Sequence, residues 1–124
     1  MAVMIKLILC LIWLASCAEQ TVKHNERFYQ ERWCQARSGQ LEVTVSEKGR
    51  KYRIDCVTRK YAIEFDFAGK WEALEQSLHY ARLTGKRPGI VFICKSPKAR
   101  GKILRTIKNI QFYRLPVKVW RENC

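Results

Sequence analysis

The chain has 124 residues and a mass of 14.7 kDa, enough for one domain, and its 48% hydrophobic and 11% aromatic content supplies a core that a disordered chain lacks. At 28% charged residues it is too polar for a membrane bundle. Its 24 Lys and Arg against 11 Asp and Glu leave a formal charge of +13, which favours polyanionic partners such as nucleic acid or an anionic membrane surface.

The charge is uneven. Residues 81–124 carry 12 basic side chains against Glu122 alone, whereas residues 17–80 are nearly neutral, with 11 basic and 10 acidic. Seven of the acids, Glu42, Glu47, Asp55, Glu64, Asp66, Glu72 and Glu75, fall between positions 42 and 75. A basic chain that concentrates acids in this way has a local use for them.

Residues 1–17 place Lys6 before an apolar run over 7–14 and then small residues, the layout of a secretory signal. The run is shorter than the roughly 20 apolar residues of a membrane span. Leu14-Ala15-Ser16-Cys17 resembles the bacterial lipobox, in which cleavage before the cysteine frees it to take a lipid; cleavage after Ala18 is the alternative. The reading predicts a signal peptide over 1–17 with lipidation at Cys17, and a single domain over 18–124. It implies export to a bacterial periplasm as a membrane-anchored lipoprotein, touching the membrane by its lipid anchor only.

Cys10 lies in the apolar run, so Cys34, Cys56, Cys94 and Cys124 remain for the folded part. Outside the reducing cytosol an even set in a small domain forms disulfides, and four cysteines allow three pairings. The expected pairs are Cys34 with Cys56 and Cys94 with Cys124. Zinc is disfavoured, because its ligands come as close pairs such as C-x₂-C and no histidine flanks these cysteines.

Residues 21–37 lack Gly and Pro and space Phe28, Tyr29 or Trp33, and Ala36 as a helix does, with Gly39 as its stop. Leu41, Val43 and Val45 alternate with polar residues, Gly49 marks a turn within 46–50, and 52–58 is extended again, which predicts a β-hairpin. Residues 61–67 form a third strand, with Ala62, Glu64 and Asp66 on one face and aromatic or β-branched residues on the other. After Gly69, the spacing of Trp71, Leu74, Leu78 and Ala81 predicts a helix to Gly85, with Trp71 anchoring it in the core. Residues 88–94 form a short apolar run suited to a buried strand. Residues 99–110 form a basic helix with Ile103, Leu104 and Ile107 inward, and 116–120 a last strand. The order α-β-β-β-α-β-α-β predicts an α/β fold whose mixed β-sheet is flanked by helices, with a right-handed crossover between the third and fourth strands.

On the third strand Glu64 and Asp66 share a face about 6–7 Å apart. Asp55, between the inward-turned Ile54 and Cys56, projects where it can meet Glu64 across the ladder. Like charges so close raise each other's pKa unless a cation lies between them. Carboxylates suit a hard ion such as Mg²⁺, which takes one or two of them and completes its shell with phosphate and water.

Asp55, Glu64-x-Asp66, Lys70 and Gln76-x-x-x-Tyr80, with Glu42 upstream, resemble the PD-(D/E)xK nuclease superfamily, including the Q-x-x-x-Y element of its RecB-like members, over roughly residues 25–94. The resemblance implies a restriction-endonuclease-like core and a catalytic set made of these seven residues. Asp55 and Glu64 would be ligands of Mg²⁺ or Mn²⁺, Glu42 the acid of the first core segment, and Gln76 and Tyr80 orienting groups or nucleic-acid contacts. Asp66 stands where the pattern has lysine, and Lys70 takes that role, as in similar members whose lysine has migrated. The implied activity is metal-dependent phosphodiester hydrolysis of nucleic acid, DNA rather than RNA, with no organic cofactor. Lys95, Lys98, Arg100, Lys102, Arg105 and Lys108 would then hold the polyanion without reading its sequence. The alternative from another class is a non-catalytic envelope protein that binds DNA, anionic lipid or a protein partner through this basic region. His79, beside Tyr80, is expected at the surface.

Overall fold

The structure, a computed structural model, describes residues 25–124; the signal segment 1–17 and Cys17 lie outside the described residues. Helix α1 spans Glu26–Ala36, where Asn25 caps the first turn by accepting from the Phe28 amide at 2.9 Å. Strands β1 (Gln40–Glu47) and β2 (Arg50–Val57) follow as an antiparallel hairpin. Its two turn residues, Lys48 and Gly49, both have positive φ, 49° and 76°, the geometry that matches the twist of the paired strands. Strand β3 is Tyr61–Asp66, helix α2 Trp71–Thr84, strand β4 Arg87–Ile93, helix α3 Pro97–Phe112 and strand β5 Lys118–Glu122. The Ser96 hydroxyl caps α3 by accepting from the Ala99 amide.

The five strands lie in the order β1-β2-β3-β4-β5, antiparallel from β1 to β3 and parallel from β3 to β5. Each parallel step is bridged by a helix, α2 and then α3. Alternation then divides the core. Ile63, Phe65, Val91 and Ile93 meet Trp33 and Cys34 of α1 on one face. Ile90 and Phe92 meet Leu74 of α2 and Ile103, Ile107 and Ile110 of α3 on the other. The result is a mixed sheet between one helix and two, an α/β architecture.

Two details of the helices differ from the sequence expectation. In α2 the buried residues are Ala73, Leu74, Ser77, Tyr80 and Ala81, while Trp71 is 61% exposed and Leu78 38%. Small residues turn inward because α2 lies close on the sheet, where the Ser77 hydroxyl donates to the Gly89 carbonyl at 3.2 Å. Leu74 and Ala81 of the expected stripe are buried, but Leu78 is not, and Trp71 is not a core anchor. In α3, Ile103 and Ile107 are buried with Thr106 and Ile110, whereas Leu104 is only half-buried. Thr106 faces the sheet layer because its hydroxyl donates to the Gly69 carbonyl at 3.2 Å.

Two disulfides close the structure: Cys34–Cys56 ties α1 to β2, and Cys94–Cys124 ties the end of β4 to the last residue. They fit an oxidising, exported location. No helix among the described residues is long and apolar enough to cross a membrane. The α1–β1 turn leaves no room beside the first bridge: a Cβ on Gly39 would lie 2.6 Å from Cys34 Sγ and 2.7 Å from Cys56 Sγ. Gly39→Ala should therefore cost about 1–3 kcal/mol. Thermal unfolding should show a lowered Tm in the oxidised protein and a smaller difference after reduction; an equal loss in both states would contradict the clash.

Candidate functional site

The site begins where the sheet comes apart. Strands β2 and β3 are paired only at Cys56 with Ile63 and Val57 with Ala62. At the next step the Asp55 side chain replaces a main-chain partner: its Oδ2 accepts from the Phe65 amide at 2.9 Å. The β1–β2 ladder is distorted at the same level. Leu41 pairs with Cys56 and Val43 with Ile54, and the intervening Glu42 takes a left-handed φ of 53°, which is uncommon for a residue with a side chain. A short acid between the buried Ile54 and Cys56 thus opens the sheet and turns its own carboxylate into the gap.

Glu64 occupies the opposite side of that gap. It is 6% exposed, and its Oε1 is buried without a hydrogen-bond partner. Burial, and then the adjacent Asp55 charge, push the Glu64 carboxyl up to about 9. Burial raises Asp55 as well, against the Phe65 amide bond that lowers it. Glu64 therefore keeps its proton near neutral pH, beside an Asp55 whose carboxyl is also raised. Tyr80 closes the gap from α2, buried against Ile54 and Ala62. Its phenol is raised by burial and by the Glu64 and Asp55 charges, so it stays a neutral donor beside them.

Further along β3, Asp66 is also 6% exposed, but both its oxygens are engaged: Oδ1 accepts from the Ala68 amide at 3.2 Å and Oδ2 from the Lys70 amide at 2.9 Å. It therefore shapes the turn from β3 into α2 and fixes Lys70 at the start of that helix. Asp66, Lys70 and Gln76 line a cavity of about 410 Å³ at the C-terminal end of β3, together with Phe65, Ala73 and Glu26 of α1. Asp55 and Glu64 do not line this cavity. The seven candidates thus fall into a carboxyl pair with Tyr80 and a cavity group with Asp66, Lys70 and Gln76, joined by the two-residue step from Glu64 to Asp66. Glu42 stands aside, ion-paired with Arg27 at 3.3 Å, although its charge still reaches Asp55.

The basic residues are also divided. On α3, Lys98, Lys102 and Arg105 flank the side that carries Thr106, which bonds to the Gly69 carbonyl, with Lys102 itself against Gly69. Arg100 and Lys108 lie on the side toward β5, where each lines a different surface depression. Lys95 belongs to the cavity end, its Nζ 3.9 Å from Glu26 and 4.8 Å from the Phe67 ring centre. His79 is half-buried outside the site, edge-on to Tyr52 and bonded through Nδ1 to Arg82.

One residue escaped the sequence reading. Arg53, exposed on β2, is the cation whose charge lowers both Asp55 and Glu64. The signal was present, since Arg53 and Asp55 share strand parity. Among the described residues no group of three or more His, Cys, Asp or Glu side chains is placed to hold a metal ion unaided. No family model, curated protein or solved structure matches the chain.

The Glu64 proton has a consequence for stability. Glu64 titrates near 9 in the folded chain against 4.5 in its ordinary state, so between these values the folded chain keeps a proton that the unfolded chain releases. Stability present below pH 4.5 is lost as pH rises toward 9, by up to about 1.4 kcal/mol per pH unit. Glu64→Gln removes this dependence, and its Tm should gain on wild type steadily from pH 5 to pH 9. Parallel pH profiles would contradict the assignment.

Proposed function

We propose that the chain is a metal-dependent phosphodiesterase acting on nucleic acid, DNA rather than RNA, with a restriction-endonuclease-like arrangement of its α/β fold. The observation that carries this reading is the Asp55–Glu64 pair at the opening between β2 and β3, with a buried Glu64 oxygen that has no hydrogen-bond partner. Two carboxyl groups held together by burial, and short of positive charge, fit a hard divalent cation, which needs one or two protein carboxylates when a phosphate and water supply the remaining oxygens. Asp55 and Glu64 would hold it. A bound Mg²⁺ or Mn²⁺ supplies charge neutralisation at the phosphate and an acidified water.

The chain's own groups support the rest. The Phe65 amide fixes Asp55 and leaves its other oxygen available. Tyr80 remains a donor toward the carboxyl pair. Lys70 and Gln76 line the cavity one step along β3, where an ammonium and an amide can meet a phosphate at the C-terminal end of a parallel strand. Lys98, Lys102 and Arg105 extend positive charge from that end for the rest of a polyanion. The signal-like segment and the two disulfides support action in a bacterial periplasm, with Cys17 lipidation as the tether.

The test incubates the protein with plasmid and with short single-stranded DNA in Mg²⁺, Mn²⁺ or EDTA. Cleavage should require the metal and fall about a hundredfold or more in Asp55→Ala and Glu64→Ala. Absence of cleavage with every metal, with binding unchanged in both variants, overturns the enzymatic reading.

A further inference from the structure

The end of the sheet away from the carboxyl pair carries a second site. The β2–β3 turn presents Arg59 and Lys60, β4 begins at Arg87, β5 at Lys118, and α1 ends beside Arg37. Hydrogen bonds tie the β2–β3 turn to the start of β4: the Arg87 amide donates to the Lys60 carbonyl at 2.9 Å, and the Lys86 side chain donates through Nζ to the Arg59 carbonyl at 2.9 Å. None of Arg37, Arg59, Lys60, Lys86, Arg87 and Lys118 forms an ion pair with a carboxylate among the described residues. This is a concentration of uncompensated positive charge outside the basic helix.

Between these cations lies an apolar cleft of about 290 Å³. Trp33, Tyr61, Ile63 and Trp120 line it, with Arg37, Arg59 and Lys60 at its rim. The aromatic side chains are locked edge to face: Trp120 lies 5.1 Å from Trp33 and 5.1 Å from Tyr61, at interplanar angles of 70° and 87°. Trp120 lies across Gly89 of β4, where a Cβ would come within 2.7 Å of its ring. The Arg37 guanidinium is 3.8 Å from the Trp33 ring centre and donates to the Trp33 carbonyl, so it forms a fixed planar wall. Trp120 and Tyr61 stay half-buried and keep ring surface open to solvent.

Rigid aromatic surface inside a ring of unpaired cations is chemistry complementary to a flat base on a phosphate chain. A duplex keeps its bases stacked internally and offers the cleft nothing to insert, whereas a single strand presents both partners at once. We propose that this cleft binds an unpaired base of single-stranded nucleic acid, with the neighbouring phosphates on Arg37, Arg59 and Lys60. Tyr61 lies three residues before Glu64, about 10 Å along the strand, and its parity turns it to the opposite face of the sheet. The cleft is therefore separate from the carboxyl pair. It deepens the nuclease reading by naming the form of nucleic acid, and rests on that reading only for the class of polyanion.

Binding is measured in EDTA with wild type and Glu64→Gln, so that cleavage plays no part, using a short oligothymidylate, a duplex of equal length and heparin. The oligothymidylate should quench tryptophan fluorescence and bind more tightly than the duplex, equally in both proteins. The triple variant Arg37→Glu, Arg59→Glu, Lys60→Glu should lose most of that affinity, and the slope of log affinity against log salt should fall by about 2, three contacts at about 0.7 each. Tyr61→Leu, which keeps the strand apolar, should weaken binding about tenfold. Because the triple variant changes only exposed side chains, it stands as a test even where Tyr61→Leu fails to fold. Unchanged binding in the triple variant, or duplex or heparin bound as tightly as the single strand, overturns the proposal. If cleavage is absent but these results hold, only the enzymatic reading fails.

Discussion

The hydrogen bond from the Phe65 amide to Asp55 Oδ2 is the constraint from which the candidate site follows. It substitutes a side chain for a main-chain acceptor, which ends the β2–β3 ladder after two residue pairs and opens the sheet. Glu64 is the residue directly affected. Without the opening, a glutamate on the inner face of a central strand would be buried with nothing but apolar neighbours, at a desolvation cost of several kcal/mol. With it, Glu64 lies beside Asp55 and keeps an oxygen without a hydrogen-bond partner. The left-handed Glu42 on β1 belongs to the same distortion, since it sits opposite Asp55 in the hairpin register. Strain at a position that also carries charge is where a function is to be sought.

The surroundings hold this opening in place. The Cys34–Cys56 bridge anchors β2 immediately after Asp55, and Cys34, Cys56 and Ile63 are fully buried in one cluster with Trp33. On the other face α2 approaches closely through Ala73, Ser77 and Ala81, which brings Tyr80 down onto Ile54 and Ala62. Asp66 then fixes the entry to α2 by accepting from two amides, so Lys70 and Gln76 are oriented by the same turn that ends β3. Packing on both faces converts one misplaced acid in a strand into a defined group of ionisable side chains.

Much of this was legible in the residues, and the exceptions have physical causes. Alternation in 61–67 gave Glu64 and Asp66 a common face, a relation that depends only on strand period. Strand period did not carry over to β2, where Ile54 packs with Ala62 and Tyr80 on the α2 face and Cys56 with Trp33 on the α1 face, and Asp55 meets Glu64 where that alternation breaks. Alternation could not reveal that Asp66 satisfies loop amides, because that depends on the path of residues 67–70. The α2 stripe held at Leu74 and Ala81 and failed at Trp71 and Leu78 for a related reason. Trp71 and Leu78 recur at helical spacing, yet the sheet beneath is covered by small residues, and the helix turns to let Ala73 and Ser77 approach. The six basic residues from Lys95 to Lys108 formed one group in sequence, but the helical period sends Arg100 and Lys108 to the β5 side. The cleft of Trp33, Tyr61 and Trp120 draws on three distant segments and has no local signature at all.

In the proposed function, Asp55 and Glu64 together would hold a cation at the opening of the sheet. The most direct measurement is paramagnetic broadening of backbone amide NMR signals as Mn²⁺ is added to the ¹⁵N-labelled protein. Asp55, Glu64 and Phe65 should broaden first, and the effect should disappear in Glu64→Gln. Broadening that instead begins at the exposed acids Glu72 and Glu75, or that persists unchanged in the variant, would contradict it.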